Sequence, residues 1–187
     1  MISFYHWVTD RLSRLDWLIP TMARVVFAGT LLMYFWVSGL TKLGEGFAGL
    51  FQPSVGAYAQ IFPKAMEAVT YDTSQLSFWH WAVTVLGTWA EFILPALIVI
   101  GLFTRVSALC MIAFVGIQSA TDLYGHGGLE HKETYGAWFD RFADSAIMDQ
   151  RSFWVFLLLV LVIKGAGPLS LDTALRRSRP AMPSHHT

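Results

Sequence analysis

Four separate stretches of this 187-residue chain stay apolar for roughly the 20 residues that an α-helix needs to cross a hydrocarbon layer about 30 Å thick. They run approximately over residues 21–43, 78–103, 106–123 and 153–171. Oil offers no water to an unpaired backbone N–H or C=O, so a segment inside it must bond within itself, as a helix does. The expected fold is therefore all-α: a polytopic membrane protein built as a four-helix transmembrane bundle. The fourth stretch is the least regular, because it holds Lys164 and then Gly165, Ala166, Gly167 and Pro168. Its helix is expected to end early, with the remainder dipping through the interface.

Composition agrees with an oily solvent: 55% of residues are hydrophobic and 15% aromatic, more than a water-soluble domain usually carries. Lys plus Arg and Asp plus Glu number 13 each, so the net charge is zero and nothing electrostatic points to nucleic acid. Membrane lipid is the expected partner. Cys110 is the single cysteine, which excludes an intrachain disulfide, a CxxC redox pair and a zinc site built from cysteines. There is no P-loop, no GxGxxG fingerprint, no GxSxG elbow and no CxxCH motif. A self-contained hydrolase, ATPase or cytochrome is not expected, nor is bound haem or nucleotide.

The placement of basic residues gives an orientation. Arg11 and Arg14 precede the first stretch, Arg105 lies in the tight turn between the second and third, and Arg176, Arg177 and Arg179 form the tail. Lys64, Lys132, Arg141 and Arg151 are spread thinly over two longer loops, residues 44–77 and 124–152. Positive charge is retained on the cytoplasmic side, so both termini are expected inside a bacterial inner membrane and both long loops in the periplasm. Trp17, Trp79, Trp81, Trp138 and Trp154 fall near the expected edges, where amphipathic rings prefer to sit. The first apolar stretch begins after Arg11, Arg14 and Asp16 and is too long for a signal h-region, so it is expected to remain as an anchor. Phe4, Val8, Leu12 and Leu15 recur at helical spacing, which predicts an N-terminal amphipathic helix on the cytoplasmic surface or, alternatively, a frayed terminus. With no internal repeat, residues 1–187 read as one domain. Bulky residues in both loops, such as Phe51, Tyr58, Trp138 and Phe142, favour packing on the bundle or on a partner.

Glu91 lies roughly 13 residues into the second stretch, about 20 Å from its outer end. A carboxylate at that depth is costly unless paired, which makes it either a tie between helices or a proton-handling group. His80, Thr84, Gly87 and Glu91 fall within an arc of roughly 60° on one face. That polar track suits proton transfer or a quinone headgroup, whose carbonyls need donors and whose tail needs apolar walls. A structural reading stands beside it: Thr84 bonding back to its own helix, Gly87 permitting close packing, His80 wetting the interface. Arg24 and Lys164 are the candidate counter-charges for Glu91, and depth counted from the helix ends favours Lys164. Snorkelling of both to the inner headgroups is the alternative. Gln118 and Asp122, one turn apart near the outer end of the third stretch, could meet His126 or Lys42 across the bundle mouth. His126 and His131, with Glu130 and Glu133, offer weak candidate metal ligands without a regular spacing.

Ser38, Gly39, Leu40, Thr41, Lys42 and Leu43 resemble the SGxxKL signature of the DoxX family of small membrane proteins. Ala90, Glu91 and Phe92, leading into Gly101, Leu102, Phe103, Thr104 and Arg105, are similar to that family's acidic second helix and GLxTR turn. Gly165 to Asp172, GAGPLSLD, resembles its C-terminal GxGxxSxD. The resemblance implies a four-helix fold and a place as a small subunit of redox assemblies, such as thiosulfate:quinone oxidoreductase in archaea or complexes with oxidative-stress enzymes, with other members in metal-stress operons. It makes Lys42, Glu91, Arg105 and Asp172 the motif positions of interest. The leading expectation is an inner-membrane accessory subunit of a quinone-linked complex, at most one subunit of an oxidoreductase, bound to other membrane or periplasmic subunits. The alternative is a non-enzymatic scaffold or metal-stress protein that docks a periplasmic partner through its outer loops. A transporter comes third, since four helices leave little room for a pathway.

Overall fold

A computed structural model describes residues 1–178, and Arg179 of the basic tail lies outside them. The described chain is helical with no strand. Four helices carry it across: α2 (Leu18–Lys42), α5 (Phe78–Ile100), α6 (Thr104–Gly125) and α8 (Ala146–Lys164). Short helices fill the connections: α1 (Ile2–Ser13), α3 (Val55–Ile61), α4 (Pro63–Ala68), α7 (Lys132–Tyr135) and α9 (Leu171–Arg177). Mean hydropathy over the four long helices is between 1.5 and 2.0, yet no more than 33% of any such window is buried within the bundle. The remaining apolar surface, including Ile93, Leu109, Ile117, Phe156 and Ile163, needs lipid to cover it.

The four helices close a ring in which α2 and α6 each pack on both α5 and α8. Phe27, Leu31 and Phe35 of α2 meet Ile98, Met111, Val115, Leu158 and Leu161 at its centre. One end of the ring carries the two long connections and is called here the loop end. The other, the turn end, holds the α5–α6 turn and both flanking segments.

The turn end shows why two of the motifs read in the sequence sit together. Gly101 ends α5 in the left-handed region at φ 71°, so that its own N–H and that of Leu102 bond back to Ile98 and Leu97. Phe103 and Thr104 then begin α6, and their free N–H groups donate to the Asp172 carboxylate at 2.8 and 3.0 Å, while Asp172 N–H donates to Gly101 O. Burial works against the charge on Asp172, but the two backbone donors and Arg176 outweigh it and hold the carboxyl below the usual range. The Arg24 guanidinium donates to Ile98 O and Val99 O at the end of α5 and to Ala166 O and Leu169 O of the final segment. Of these carbonyls, Ile98 O also accepts from the Gly101 N–H, and Arg24 is the donor to the other three. Arg105 donates to Val162 O at 3.1 Å.

The fourth span starts before the expected residue 153 and ends early, as expected from its Gly165–Pro168 segment. It begins at Ala146, where the Ser145 hydroxyl caps the first turn, and stops at Lys164 because Gly165 and Gly167 take φ of 82° and 76°. The other three spans agree with expectation to within a turn. The N-terminal helix α1 forms with none of its residues buried. The first long connection packs against the loop-end half of α5, with Trp81 Nε1 donating to Phe51 O and Trp89 Nε1 to Leu50 O.

Candidate functional site

Glu91 is paired, and its partner is Lys42. Lys42 Nζ lies 3.0 and 3.1 Å from the two carboxylate oxygens, and the side chains are only 7% and 4% exposed. Ser38 joins them: its hydroxyl accepts from Lys42 Nζ at 2.6 Å and donates to Glu91 Oε1 at 3.2 Å. Ser38 and Lys42 are four residues apart and so share one face of α2. Between them Gly39 sits against Phe92, where a β-carbon would come 2.8 Å from the ring. The SGxxK spacing is thus the pattern that lets α2 approach α5 closely enough to seat an ammonium on Glu91.

The Lys42–Glu91 pair lines a cavity of about 530 Å³ between α2, α5 and α6. Val83, Leu86, Ala90, Phe114 and Ile117 give it apolar walls, and Gln60 and Ile61 of α3 close over it. A second pair, Arg151 with Asp122, stands nearer the loop end, and Arg151 Nη1 also donates to Ser119 Oγ at 2.9 Å. Gln118 donates to the Tyr34 hydroxyl at 2.9 Å on the same lining. From Phe114 to Asp122 the cavity follows α6 for about 12 Å. Leu86 and Ile117, each 66% exposed, flank it where α5 and α6 meet the bilayer. A flat molecule with polar groups on its ring and an apolar tail could enter from the membrane and find donors (Lys42, Arg151, Tyr34) and carboxylates (Glu91, Asp122) at its ring.

Several expected neighbours of Glu91 lie elsewhere. Lys164 pairs with Asp16 at 2.6 Å, because α8 starts about two turns earlier than expected and so places Lys164 at the turn end. Arg24 is spent on four carbonyls. His80 and Thr84 do not line the cavity: Thr84 donates to His80 O within its own helix, and His80 bonds Ser77 Oγ with its ring 4.8 Å from Phe62. Gly87, the third member of that track, does line it. Arg105 and Asp172 fasten the turn end, distant along the bundle from the cavity. His126 lines the cavity and bonds Gln60 O at 3.0 Å, whereas His131 is an exposed neighbour of Glu133. Among the described residues no group of three His, Cys, Asp or Glu side chains is arranged to hold a metal ion.

Sequence reasoning missed Arg151, Ser38, Tyr34 and Gln60. Arg151 read as dilute loop charge, yet it opens a long apolar run as the last polar residue but one, and Asp122 interrupts the end of another. Two opposite charges each at the loop end of a span were the available signal. Ser38 was visible as part of its motif but carried no assigned contact, and nothing in the sequence marked Tyr34 or Gln60.

No curated protein and no solved structure matches the chain. The DoxX family model matches residues 19–118, just over half of the sequence and the part that carries Ser38, Lys42, Glu91 and Gln118. The protein belongs to the DoxX family.

Proposed function

We propose that this protein is an accessory inner-membrane subunit of a quinone-linked redox complex, and that its cavity receives the quinone headgroup. The observation that carries the reading is the joining of two chemistries in one space: a lysine–glutamate pair in a recess whose apolar walls include the exposed Leu86 and Ile117. The carbonyls of a quinone accept hydrogen bonds, which Lys42, Arg151 and Tyr34 can donate, and Glu91 and Asp122 can exchange the protons that accompany its reduction. About 530 Å³ is within the range of small-molecule sites. Electrons come from a partner, and exposed Trp138, Phe139 and Phe142 in the second long connection are the surface that favours one. Arg11, Arg14, Arg105, Lys164, Arg176 and Arg177 belong to segments gathered at the turn end, which supports cytoplasmic termini and a cavity in the periplasmic half of the bundle.

The test is purification from native membranes in mild detergent, with quinone measured by mass spectrometry. Wild type is expected to retain quinone in near-stoichiometric amount and Lys42→Met with Glu91→Leu to lose it while remaining folded. A quinone-free wild type, or equal retention by the double variant, would overturn the reading.

A further inference from the structure

A second recess lies at the opposite end of the molecule, in the elbow where α1 turns into α2. It is a groove of about 760 Å³ between α2 and α8, walled by Leu15, Ile19, Met22 and Val26 on one side and by Phe156 and Val160 on the other. From Leu18 to Val26 it follows α2 for about 12 Å, from the turn-end surface toward the middle of the bundle. Among the described residues its polar lining is Ser13 and Asp16, both at the mouth.

Two cations, Arg14 and Lys164, and one carboxylate, Asp16, stand around the mouth. Arg14 sits in sequence between the lining residues Ser13 and Leu15, is exposed, and its side chain has no hydrogen bond or ion pair with a described residue. Lys164 reaches the same place through its bond to Asp16, and both side chains of that pair are open to solvent, 41% and 55% exposed. An exposed pair of this kind contributes little by itself, so the ammonium can exchange Asp16 for another anion. The neighbouring α1 presents Phe4, Trp7 and Leu12 with no residue buried, and Arg11 lies over the Trp7 ring at 5.4 Å. A helix that exposes aromatic and apolar side chains and buries none of its residues suits a membrane interface.

We infer that this elbow is a binding site for an anionic phospholipid of the leaflet at the turn end, with one acyl chain in the α2–α8 groove and the phosphate between Arg14 and Lys164. The chain lies along apolar side chains, and the headgroup replaces Asp16 on Lys164 while taking a guanidinium donor from Arg14. Zwitterionic lipid fits the groove equally well, and charge at the mouth makes the distinction.

The full chain is reconstituted in nanodiscs of equimolar phosphatidylglycerol and phosphatidylcholine, extracted in mild detergent, and weighed with its retained lipid by native mass spectrometry. Each cation near a membrane surface contributes roughly a fivefold preference for anionic lipid, so wild type is expected to retain phosphatidylglycerol over phosphatidylcholine by at least about fivefold. Arg14→Gln and Lys164→Gln each reduce that ratio by about the same factor. Asp16→Asn, which removes the competing anion and leaves Lys164 in place, raises it. Ile19→Trp, which fills the groove, lowers retention of both lipids. A wild type that retains the two lipids equally, a ratio unmoved by Arg14→Gln and Lys164→Gln, or an Asp16→Asn variant with no higher ratio than wild type would overturn the assignment. None of these results bears on the quinone reading of the other cavity.

Discussion

Replacing Lys42 with Met removes the charge that faces Glu91 and leaves the rest of α2 in place. Glu91 keeps only Ser38 as a hydrogen-bond donor, with a side chain 4% exposed. Removing one partner of a buried ion pair costs roughly 3–5 kcal/mol, whereas replacing both with apolar residues of similar volume is often close to neutral. Lys42→Met and Glu91→Leu should therefore each destabilise by several kcal/mol, and the double variant should recover most of that loss. The coupling free energy expected from this cycle is about 3 kcal/mol or more. Unfolding of micelle-solubilised protein by a denaturing detergent, followed by the fluorescence of its 8 tryptophans, measures all four corners. Additive single effects, or a Lys42→Met cost below about 1 kcal/mol, which is the range of an exposed pair, would refute the claim that the pair is buried and mutually dependent.

Three further outcomes follow from other contacts. Arg24→Leu removes four hydrogen bonds and leaves Val99 O, Ala166 O and Leu169 O without their donor, and should cost more than about 3 kcal/mol, with little rescue by Arg24→Lys, whose ammonium cannot span them; the same unfolding assay reads both. Asp172→Asn removes the charge and one of the two oxygens that accept from Phe103 N and Thr104 N, and should cost about 1 kcal/mol. Because the folded carboxyl lies below its usual range, its contribution is present above the unfolded pKa and lost as pH falls through the folded one, so stability of wild type should fall toward the Asn variant on acidification and a constant gap would contradict this. Gly39→Ala places a β-carbon 2.8 Å from the Phe92 ring and should cost about 1–3 kcal/mol, with recovery when Phe92→Leu is added.

The spans were legible because solvation by oil leaves a coarse mark, a long run without charge, that needs no knowledge of neighbours. Glu91 stood out for the same reason. Its partner did not, because depth was counted from helix ends as though the helices were flush. Lys42 ends α2 while Glu91 sits near the middle of α5, and the two meet because the connection after Lys42 packs beside the loop-end half of α5. Lys164 does not reach Glu91 because α8 begins at Ala146, behind the Ser145 cap, about two turns before the expected start. Arg105 and Asp172 were recognised as motif positions, but only the turn-end geometry reveals that they satisfy backbone groups. Arg151 became part of the cavity once α8 was seen to begin before it.

The central claim is that a quinone headgroup enters the cavity from the bilayer, between α5 and α6. Photocrosslinking tests it directly: an azido-quinone is added to the protein in nanodiscs, illuminated, and the labelled peptides are mapped. Labelling is expected in residues 83–91 and 114–122, saturable and displaced by unmodified quinone. Labelling confined to other lipid-facing surfaces, or undiminished by excess quinone, would contradict it.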